Sequence, residues 1–305
     1  MKKRVLAALL TGAMCMSLLA GCGSSASTDT TETADATTDE TSDADTTTDE
    51  TAEETEIQVF IAASLSTAME EVAEAFNEEH PEVKITYNAD SSGTLLTQIE
   101  EGYACDVFFS AAQKQMDTLE NEDGLVVEGT RGNVLNNQVV VAVSNEATTD
   151  CTGIETLDKA ESLAIADGSV PVGKYTRKAL ISLGILDETD TPEEYTTDQL
   201  SEALGGIEIS EQGNVSKVLS AIIENPGQVG TIYYSDTYGY EDQLTILETV
   251  SYDLTGDIIY PVAQIQNSEA DDAETAAAAE FVEFIKGDTA KAIFDKYYFD
   301  TENIE

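Results

Sequence analysis

Strand-like and helix-like patterns alternate between residues 57 and 110. Runs rich in β-branched and aromatic residues predict strands over 57–62, 83–87 and 106–110, and apolar residues at helical spacing lie between them. This order is typical of a parallel sheet covered by helices, because parallel neighbours require a long crossover connection. We therefore expect an α/β protein whose strands mostly run in one direction.

The same alternation continues to the end of the chain. Further predicted strands cover 139–143, 163–166, 229–234 and 258–263, and further predicted helices cover 174–183, 215–222, 274–285 and 289–297. About 249 residues follow position 56, which is enough for one large domain or for two lobes. We expect two lobes, the first formed by 57–136 together with 245–305 and the second by 137–244. Each should be a mixed, mostly parallel sheet flanked by helices.

Small hydroxyl residues follow the first two predicted strands, where helices are expected to begin. Ser64 lies in Ala-Ala-Ser-Leu after the first strand, and Ser92 lies in Ser-Ser-Gly-Thr after the second. The first turn of a helix has backbone N–H groups without an intrahelical acceptor, and the positive end of the helix dipole lies there too. Such a turn is suited to binding an anion. For either serine taken alone, an ordinary helix cap is the alternative interpretation.

Two more predicted helix starts, near Val172 and Val215, lie in the middle of the chain. In an open parallel sheet, the ligand crevice lies outside the carboxyl ends of the strands. We therefore expect both pairs of helix starts to face a shared cleft, to which Tyr233, at the end of its strand, adds a phenolic O–H. Taken alone, the two valines and the tyrosine would be interpreted as packing residues.

These groups together predict a neutral pocket that contains hydrogen-bond donors and no carboxylate. A fully deprotonated tetrahedral dianion fits such a pocket, because it accepts many hydrogen bonds and donates none. A protonated phosphate would instead require an acceptor. The formal net charge of the chain is -46 at pH 7, so bulk charge does not attract the anion.

The few basic residues are not expected to serve as anion ligands. Lys174 and Arg177 lie near a predicted helix start, but the chain has 14 basic and 60 acidic residues, and we expect both to be solvated or paired with carboxylates. The same acidic balance argues against nucleic acid or an anionic lipid surface as a partner of the folded part.

Histidine and cysteine residues predict no metal centre. His80 is the only histidine, so no His or Cys cluster has metal-ligand spacing, and its position before Pro81 indicates the end of a surface helix. Cys105 and Cys151 are the two cysteines in the predicted folded part. We expect them in different lobes, and a disulfide between them stays open from the sequence.

The first residues have the order of a secretory signal. Residues 1–21 combine a basic start, a short apolar segment and small residues before Cys22, and the apolar segment is too short to span a membrane. The ending Leu-Ala-Gly-Cys resembles the bacterial lipobox, which implies cleavage before Cys22 and lipid attachment to its thiol. We expect an extracytoplasmic protein anchored to the cell membrane through Cys22. The alternative is ordinary cleavage near Ala20.

A predicted tether, residues 22–56, follows the signal. Apart from Cys22 it is composed mostly of Ser, Thr, Asp, Glu and Ala, and it contains no Lys, Arg or aromatic residue. Such a segment cannot bury enough apolar surface to offset its ordering entropy, so we expect it to be disordered. Its like charges should extend it and hold the folded part away from the membrane.

Several segments of the folded region resemble the molybdate-binding proteins of ABC importers, which are extracytoplasmic two-lobed solute-binding proteins. The matching segments are 59–69 (VFIAASLSTAM), 91–102 (SSGTLLTQIEEG), 106–117 (DVFFSAAQKQMD), 171–175 (PVGKY), 230–236 (GTIYYSD), 260–262 (YPV) and 284–287 (FIKG) ahead of 293–294. The resemblance implies a type II periplasmic-binding-protein-like fold, a monomer without enzymatic activity or cofactor, and a membrane permease as partner.

The resemblance also implies a ligand set for molybdate or tungstate. Its members contact the oxygens of the oxyanion rather than a bare cation, and they are the two serines, main-chain groups of the two valines, and the tyrosine: Ser64, Ser92, Val172, Val215 and Tyr233. These are the positions that the strand and helix pattern indicates independently.

Three features depart from the family pattern. Gly93 stands where many relatives carry a third serine, Val172 stands where alanine is common, and the segment 187–209 is longer and more acidic than expected. They leave open a receptor for another small oxyanion, such as sulfate or thiosulfate. An exported hydrolase that uses Ser64 would need a base that the single histidine does not supply, and only the acidic tether favours a surface adhesin.

Overall fold

The structure is a computed structural model that describes residues 54–304. The predicted signal peptide, Cys22 and nearly all of the predicted tether lie outside the described residues. The first strand begins at Thr55, so the folded part starts two positions earlier than the predicted Ile57. Among residues 54–304, no helix is both long enough and apolar enough to cross a membrane.

Strands and helices alternate along most of the described chain. The strands are β1 (Thr55–Ala62), β2 (Val83–Asp90), β3 (Val107–Phe109), β4 (Gly132–Asn137), β5 (Val139–Ser144), β6 (Ser162–Ala166), β7 (Ile209–Gln212), β8 (Gln228–Tyr233), β9 (Leu244–Thr249) and β10 (Ile258–Gln264). The α-helices are α1 (Ser66–Asn77), α2 (Ser92–Glu100), α3 (Gln113–Asp117), α4 (Pro171–Ser182), α5 (Thr197–Ala203), α6 (Val215–Glu224), α7 (Tyr252–Thr255), α8 (Asp272–Ile285) and α9 (Asp288–Lys296).

The ten strands form two mixed sheets of five. The first sheet has the order β2-β1-β3-β10-β4, with β1 parallel to β2 and β3, and with β10 antiparallel to β3 and β4. The second has the order β7-β6-β8-β5-β9, with β6 parallel to β7 and β8, and with β5 antiparallel to β8 and β9. This architecture confirms the predicted fold class.

The chain crosses between the sheets twice. The first crossing separates Asn137, which ends β4, from Val139, which begins β5, close to the predicted boundary. The second crossing follows Thr249, because β9 pairs with β5 in the second sheet. The predicted boundary at 244/245 is therefore too early. The alternating polar residues of β9 hid this edge strand from the pattern analysis.

The central strands are buried along their whole length. Every residue of β5 and β10 is buried, which explains their continuous apolar sequence, since a strand covered on both faces shows no alternation. Helices cover the first sheet through Met69 and Phe281 and the second through Leu180 and Val218, all of them fully buried. The two sheets are thereby held as rigid supports for the loops at their ends.

Arg177 is fully buried inside helix α4. Its guanidinium donates to the carbonyl oxygens of Tyr195, Ala166 and Gly173 at 2.8–2.9 Å. Among residues 54–304 it makes no ion pair within hydrogen-bond distance, so the expectation that it is solvated or paired with a carboxylate is wrong. Arg177 instead joins the end of β6, the first turn of α4 and the acidic segment that contains Tyr195.

We predict that Arg177→Met lowers the free energy of unfolding by about 3 kcal/mol, because it leaves buried carbonyl groups without their charged donor. Urea denaturation of the purified protein measures the change. Arg131→Met is the matched control, since Arg131 pairs with Asp117 and Glu120 at a partly exposed site, where an ion pair is worth about 1 kcal/mol or less. Equal losses in the two variants would contradict the role assigned to Arg177.

Candidate anion-binding site

One small cavity between the two sheets brings all five predicted site residues together. About 210 Å³ of space lies between its walls, part of it open to solvent. The lining residues are Ala62, Ala63, Ser64, Asp90, Ser91, Ser92, Ala111, Val170, Pro171, Val172, Val215 and Tyr233. That these groups bind a ligand stays a prediction, but their convergence is a property of the fold.

Parallel strand ends explain why the five residues meet. Ser64 follows β1, Ser92 follows β2, Val172 follows β6, Val215 follows β7, and Tyr233 is the last residue of β8. The carboxyl ends of parallel strands lie at one edge of a sheet, and the segments that follow them gather there. The two sheets present these edges to the same cavity.

Of the four predicted helix starts at the cavity, three begin α-helices there. Ser91 caps α2 by accepting from the Thr94 N–H, and Asn214 caps α6 by accepting from the Lys217 N–H. Val172 lies in the first turn of α4 and Val215 is the first residue of α6, so helix geometry leaves their N–H groups without an intrahelical acceptor. Backbone donors and positive helix ends therefore face one point from two sheets.

Ser64 lies in a different kind of turn. It occupies a short 3₁₀ turn, Ala63–Leu65, and α1 begins only at Ser66. Its contribution to the cavity is therefore its hydroxyl group. The Ser64 Oγ lies 3.0 Å from the hydroxyl oxygen of Tyr260, a residue of β10 that the sequence analysis placed only within a matching segment.

The hydroxyl of Ser92 is oriented as a donor. Ser92 is fully buried, and its Oγ accepts a hydrogen bond from the backbone N–H of Ala111 at 2.9 Å. Because the Ala111 N–H is the donor in this bond, the hydroxyl hydrogen of Ser92 is not used in it and is free to donate into the cavity.

Tyr233 carries a buried hydroxyl without a hydrogen-bond partner among residues 54–304. The side chain is 1% exposed and lines the cavity. Burial raises its pKa well above the usual range, so the group remains an O–H donor. Buried polar groups are nearly always paired in native proteins, so this hydroxyl is available to donate to a molecule in the cavity.

Asp90 corrects the expectation of a pocket without a carboxylate. This partly buried residue ends β2 and lines the cavity. Its Oδ1 accepts from the Ser91 N–H at 2.8 Å and from the Asn214 Nδ2 at 3.0 Å. Asn214 therefore caps α6 and also joins the second sheet's helix to the first sheet's strand.

Two other contacts join the two halves beside the cavity, one through Lys114 and one through Gly93. Lys114, in α3, forms an ion pair with Glu193 of the acidic segment. Lys174, which belongs to the same half as Glu193, lies 3.5 Å from that carboxylate. The expectation for Lys174 is thus correct. A Cβ atom at Gly93 would lie 2.9 Å from the Ser169 carbonyl oxygen, so glycine is required for this close approach.

No lysine, arginine or histidine lines the cavity within the part of the chain that the structure describes. His80 stacks on Phe76 at a centroid distance of 4.3 Å and lies 3.4 Å from Glu280, so it is not placed to act as a base for Ser64. Cys105 and Cys151 are free thiols, both buried. Residues 54–304 contain no cluster of three or more His, Cys, Asp or Glu side chains arranged to hold a metal ion.

The two mixed sheets are joined by two crossings, and both face a cavity lined with hydrogen-bond donors. This is the architecture of a two-lobed ligand-binding protein. A family profile matches residues 57–300, and the chain belongs to this family, the bacterial extracellular solute-binding proteins. Its members bind solutes and are not enzymes, as the sequence predicted.

Individual relatives cover most of the chain. It is 31% identical over 255 residues to the molybdate-binding protein ModA of Escherichia coli (strain K12), covering 81% of this chain and 90% of the relative. It is 26% identical over 286 residues to YvgL of Bacillus subtilis (strain 168), provisionally named an ABC transporter substrate-binding lipoprotein, covering 93% and 94%. The fold matches the periplasmic molybdate-binding protein of Azotobacter vinelandii with a TM-score of 0.65 at 22% identity, covering 80% and 98%.

We predict that Gly93→Ala weakens oxyanion binding about tenfold, a cost of about 1.4 kcal/mol. The added Cβ meets the Ser169 carbonyl, which belongs to the backbone, so either the loop of Ser169 must shift or the two halves must move apart. Isothermal titration measures the affinity. Gly213→Ala is the control, because its Cβ would meet nothing closer than 3.6 Å. Equal affinities of the two variants would show that this approach does not limit binding.

Proposed function

We propose that this protein is the substrate-binding protein of an ABC importer and captures molybdate, together with tungstate, in the cavity between the sheets. The observation that carries the proposal is the buried, unpartnered hydroxyl of Tyr233. A tetrahedral oxyanion would accept its hydrogen bond together with those of Ser64, Ser92 and the main-chain N–H groups of Val172 and Val215. The similarity to ModA supports molybdate as the particular ligand.

Each donor would contact an oxygen of the ligand, and none would contact the metal atom. The donors are uncharged, so their number and direction must supply the attraction. A hydrogen bond to a charged group contributes about 1.5–3 kcal/mol, and each helix start adds about 0.3–1 kcal/mol. Selectivity over sulfate would come from the size of the cavity, because charge and donor pattern are alike for the two anions.

The acidic surface is compatible with this proposal. Surface charges act weakly beyond a Debye length of about 8 Å at physiological salt. Donors in a closed cavity act at short range and low dielectric, where each hydrogen bond is stronger than in water. Ligand contacts shared by both halves would favour the closed arrangement, with hinge motion at the two crossings.

The export route forms a second part of the proposal. Cleavage before Cys22 would leave a lipidated cysteine at the start of the acidic tether, and the protein would act as a monomer at the outer side of the cell membrane. The relative YvgL, provisionally named a lipoprotein, supports the anchor. A membrane permease would receive the oxyanion from the closed protein, and no cofactor is needed.

We predict that the protein binds molybdate and tungstate at least tenfold more tightly than sulfate or thiosulfate. Tyr233→Phe should weaken molybdate binding about 10- to 150-fold, since a hydrogen bond to a charged ligand is worth about 1.5–3 kcal/mol. Isothermal titration gives both results. Tyr195→Phe is the control, because its hydroxyl contacts the Asp187 carbonyl outside the cavity. Absent molybdate binding, or a stronger response to sulfate, would contradict the assignment.

Hydrogen phosphate is the second candidate ligand, and Asp90 is the observation that favours it. A carboxylate in the lining can accept the proton of hydrogen phosphate, whereas it repels a dianion that has no proton to donate. The cavity therefore contains one acceptor among its donors.

We predict that Asp90→Asn separates these two ligands. The asparagine retains an acceptor oxygen for Ser91 and Asn214 but carries no negative charge. Molybdate affinity should be unchanged or up to about tenfold higher, because the repulsion is removed. Titration of the variant with molybdate and with phosphate measures both. A wild-type preference for phosphate that disappears in Asp90→Asn would instead assign phosphate as the ligand.

A further inference from the structure

We infer that Tyr260, held by Asn137, is a positioning residue that orients the hydroxyl of Ser64 as a donor toward the bound anion. This inference rests on the proposed oxyanion function. It extends the binding machinery to two residues that do not line the cavity, and it assigns a role to the crossing between the sheets.

A chain of hydrogen bonds runs from the crossing to the cavity. The Asn137 Nδ2 lies 3.1 Å from the hydroxyl oxygen of Tyr260, which lies 3.0 Å from the Ser64 Oγ. Asn137 and Tyr260 are both buried, and Ser64 forms part of the cavity wall. The three residues come from three separate segments of the chain.

The asparagine amide determines the direction of this chain. Its Oδ1 accepts from the Gln138 N–H at 2.8 Å, and its Nδ2 also donates to the Ser235 Oγ at 2.8 Å. The nitrogen that faces Tyr260 can only donate. The Tyr260 oxygen therefore accepts from Asn137. The distance to the Ser64 Oγ fits either direction of donation, and the inferred direction has Tyr260 donating its hydrogen to Ser64.

Tyr260 is suited to pass on this direction. Burial raises its pKa well above the usual range, so it keeps its hydrogen. Among the described residues, the Ser64 Oγ is a hydroxyl oxygen within hydrogen-bond distance of Tyr260 that can accept this hydrogen. A bond in that direction leaves the hydrogen of Ser64 free to donate to the cavity.

The hydroxyls of Ser64 and Ser92 are then both oriented as donors, each by a different hydrogen-bond partner. The Ala111 N–H donates to Ser92, and in the inferred direction Tyr260 donates to Ser64. Both hydroxyl hydrogens are then free to donate to a ligand, which favours ligand oxygens without hydrogen. Asn137 ends β4, at the first crossing, and contacts Ser235 after β8. The side-chain amide of Asn137 thus contacts both the first crossing between the sheets and the hydrogen-bond chain that ends at Ser64.

A double-mutant cycle tests this role. Molybdate affinity is measured for the full chain, Ser64→Ala, Tyr260→Phe and the double variant. We expect Tyr260→Phe to weaken binding about tenfold in the wild-type background and less than about twofold when Ser64 is already alanine, because the two act as a unit. Effects that simply add would overturn the inference, since Tyr260 would then act without Ser64.

The ratio of phosphate to molybdate affinity is a second measurement, and a merely structural role of Tyr260 would not change it. In Tyr260→Phe the Ser64 oxygen can accept a proton, so the ratio of phosphate to molybdate affinity should rise severalfold. Tyr87→Phe is the control, because it removes a tyrosine hydroxyl bound to the Met69 carbonyl elsewhere in the first sheet's unit. An unchanged ratio in Tyr260→Phe would count against the inference.

Asn137→Asp covers the case in which Tyr260→Phe fails to fold. An aspartate accepts where Asn137 donates, so Tyr260 would turn its hydrogen away from Ser64 and Ser64 would donate to Tyr260. Molybdate affinity should fall about tenfold, and unchanged affinity would overturn the inference. If the wild-type protein binds neither molybdate nor tungstate, the proposed function itself fails. If the wild-type protein binds molybdate but the effects of the two substitutions on affinity add, only the inference about Tyr260 fails.

Discussion

The meeting of parallel strand ends at one cavity is the constraint on which the rest of the structure depends. A parallel sheet places the ends of its strands, and the starts of the following helices, at a single edge. Two such edges face each other here, so Ser92, Val172 and Val215 present helix starts to one small space. The hydroxyl of Tyr233 completes this space from the end of β8, buried and without a partner among the described residues. Neutral donors thereby gather where one lobe alone would supply too few.

This arrangement lets a strongly acidic chain offer an anion site. The charge of -46 is spread over the chain, whereas the donors act over a few ångströms in a cavity that no lysine or arginine lines among the described residues. The single carboxylate, Asp90, is held by Ser91 and Asn214 and joins the two halves. Two basic residues of helix α4 have structural contacts, with Arg177 binding carbonyl groups and Lys174 facing Glu193.

Strands with continuous apolar residues were predictable from the sequence, and edge strands rich in polar residues were not. The apolar runs of β5 and β10 were readily predicted, because each is buried along its length. The edge strands β4, β7 and β9 were missed, since their polar residues indicate neither a helix nor a core strand, even though the second half of β4 is buried. That omission also moved the second lobe boundary to 244. The helix α4 begins earlier than predicted because Pro171 is tolerated in the first turn.

The sequence by itself determined where the buried strands end and which hydroxyl or small residue follows each of them, because hydrophobic periodicity and turn residues are local properties. It therefore identified five of the residues that line the cavity. Only the tertiary structure decided which oxygens donate and which accept, because the partners are distant in sequence. Ser64 and Tyr260 are 196 residues apart, Asn137 and Tyr260 are 123 apart, and Asp90 and Asn214 are 124 apart. No local pattern contains such pairs, and the direction of a hydroxyl group follows from them alone.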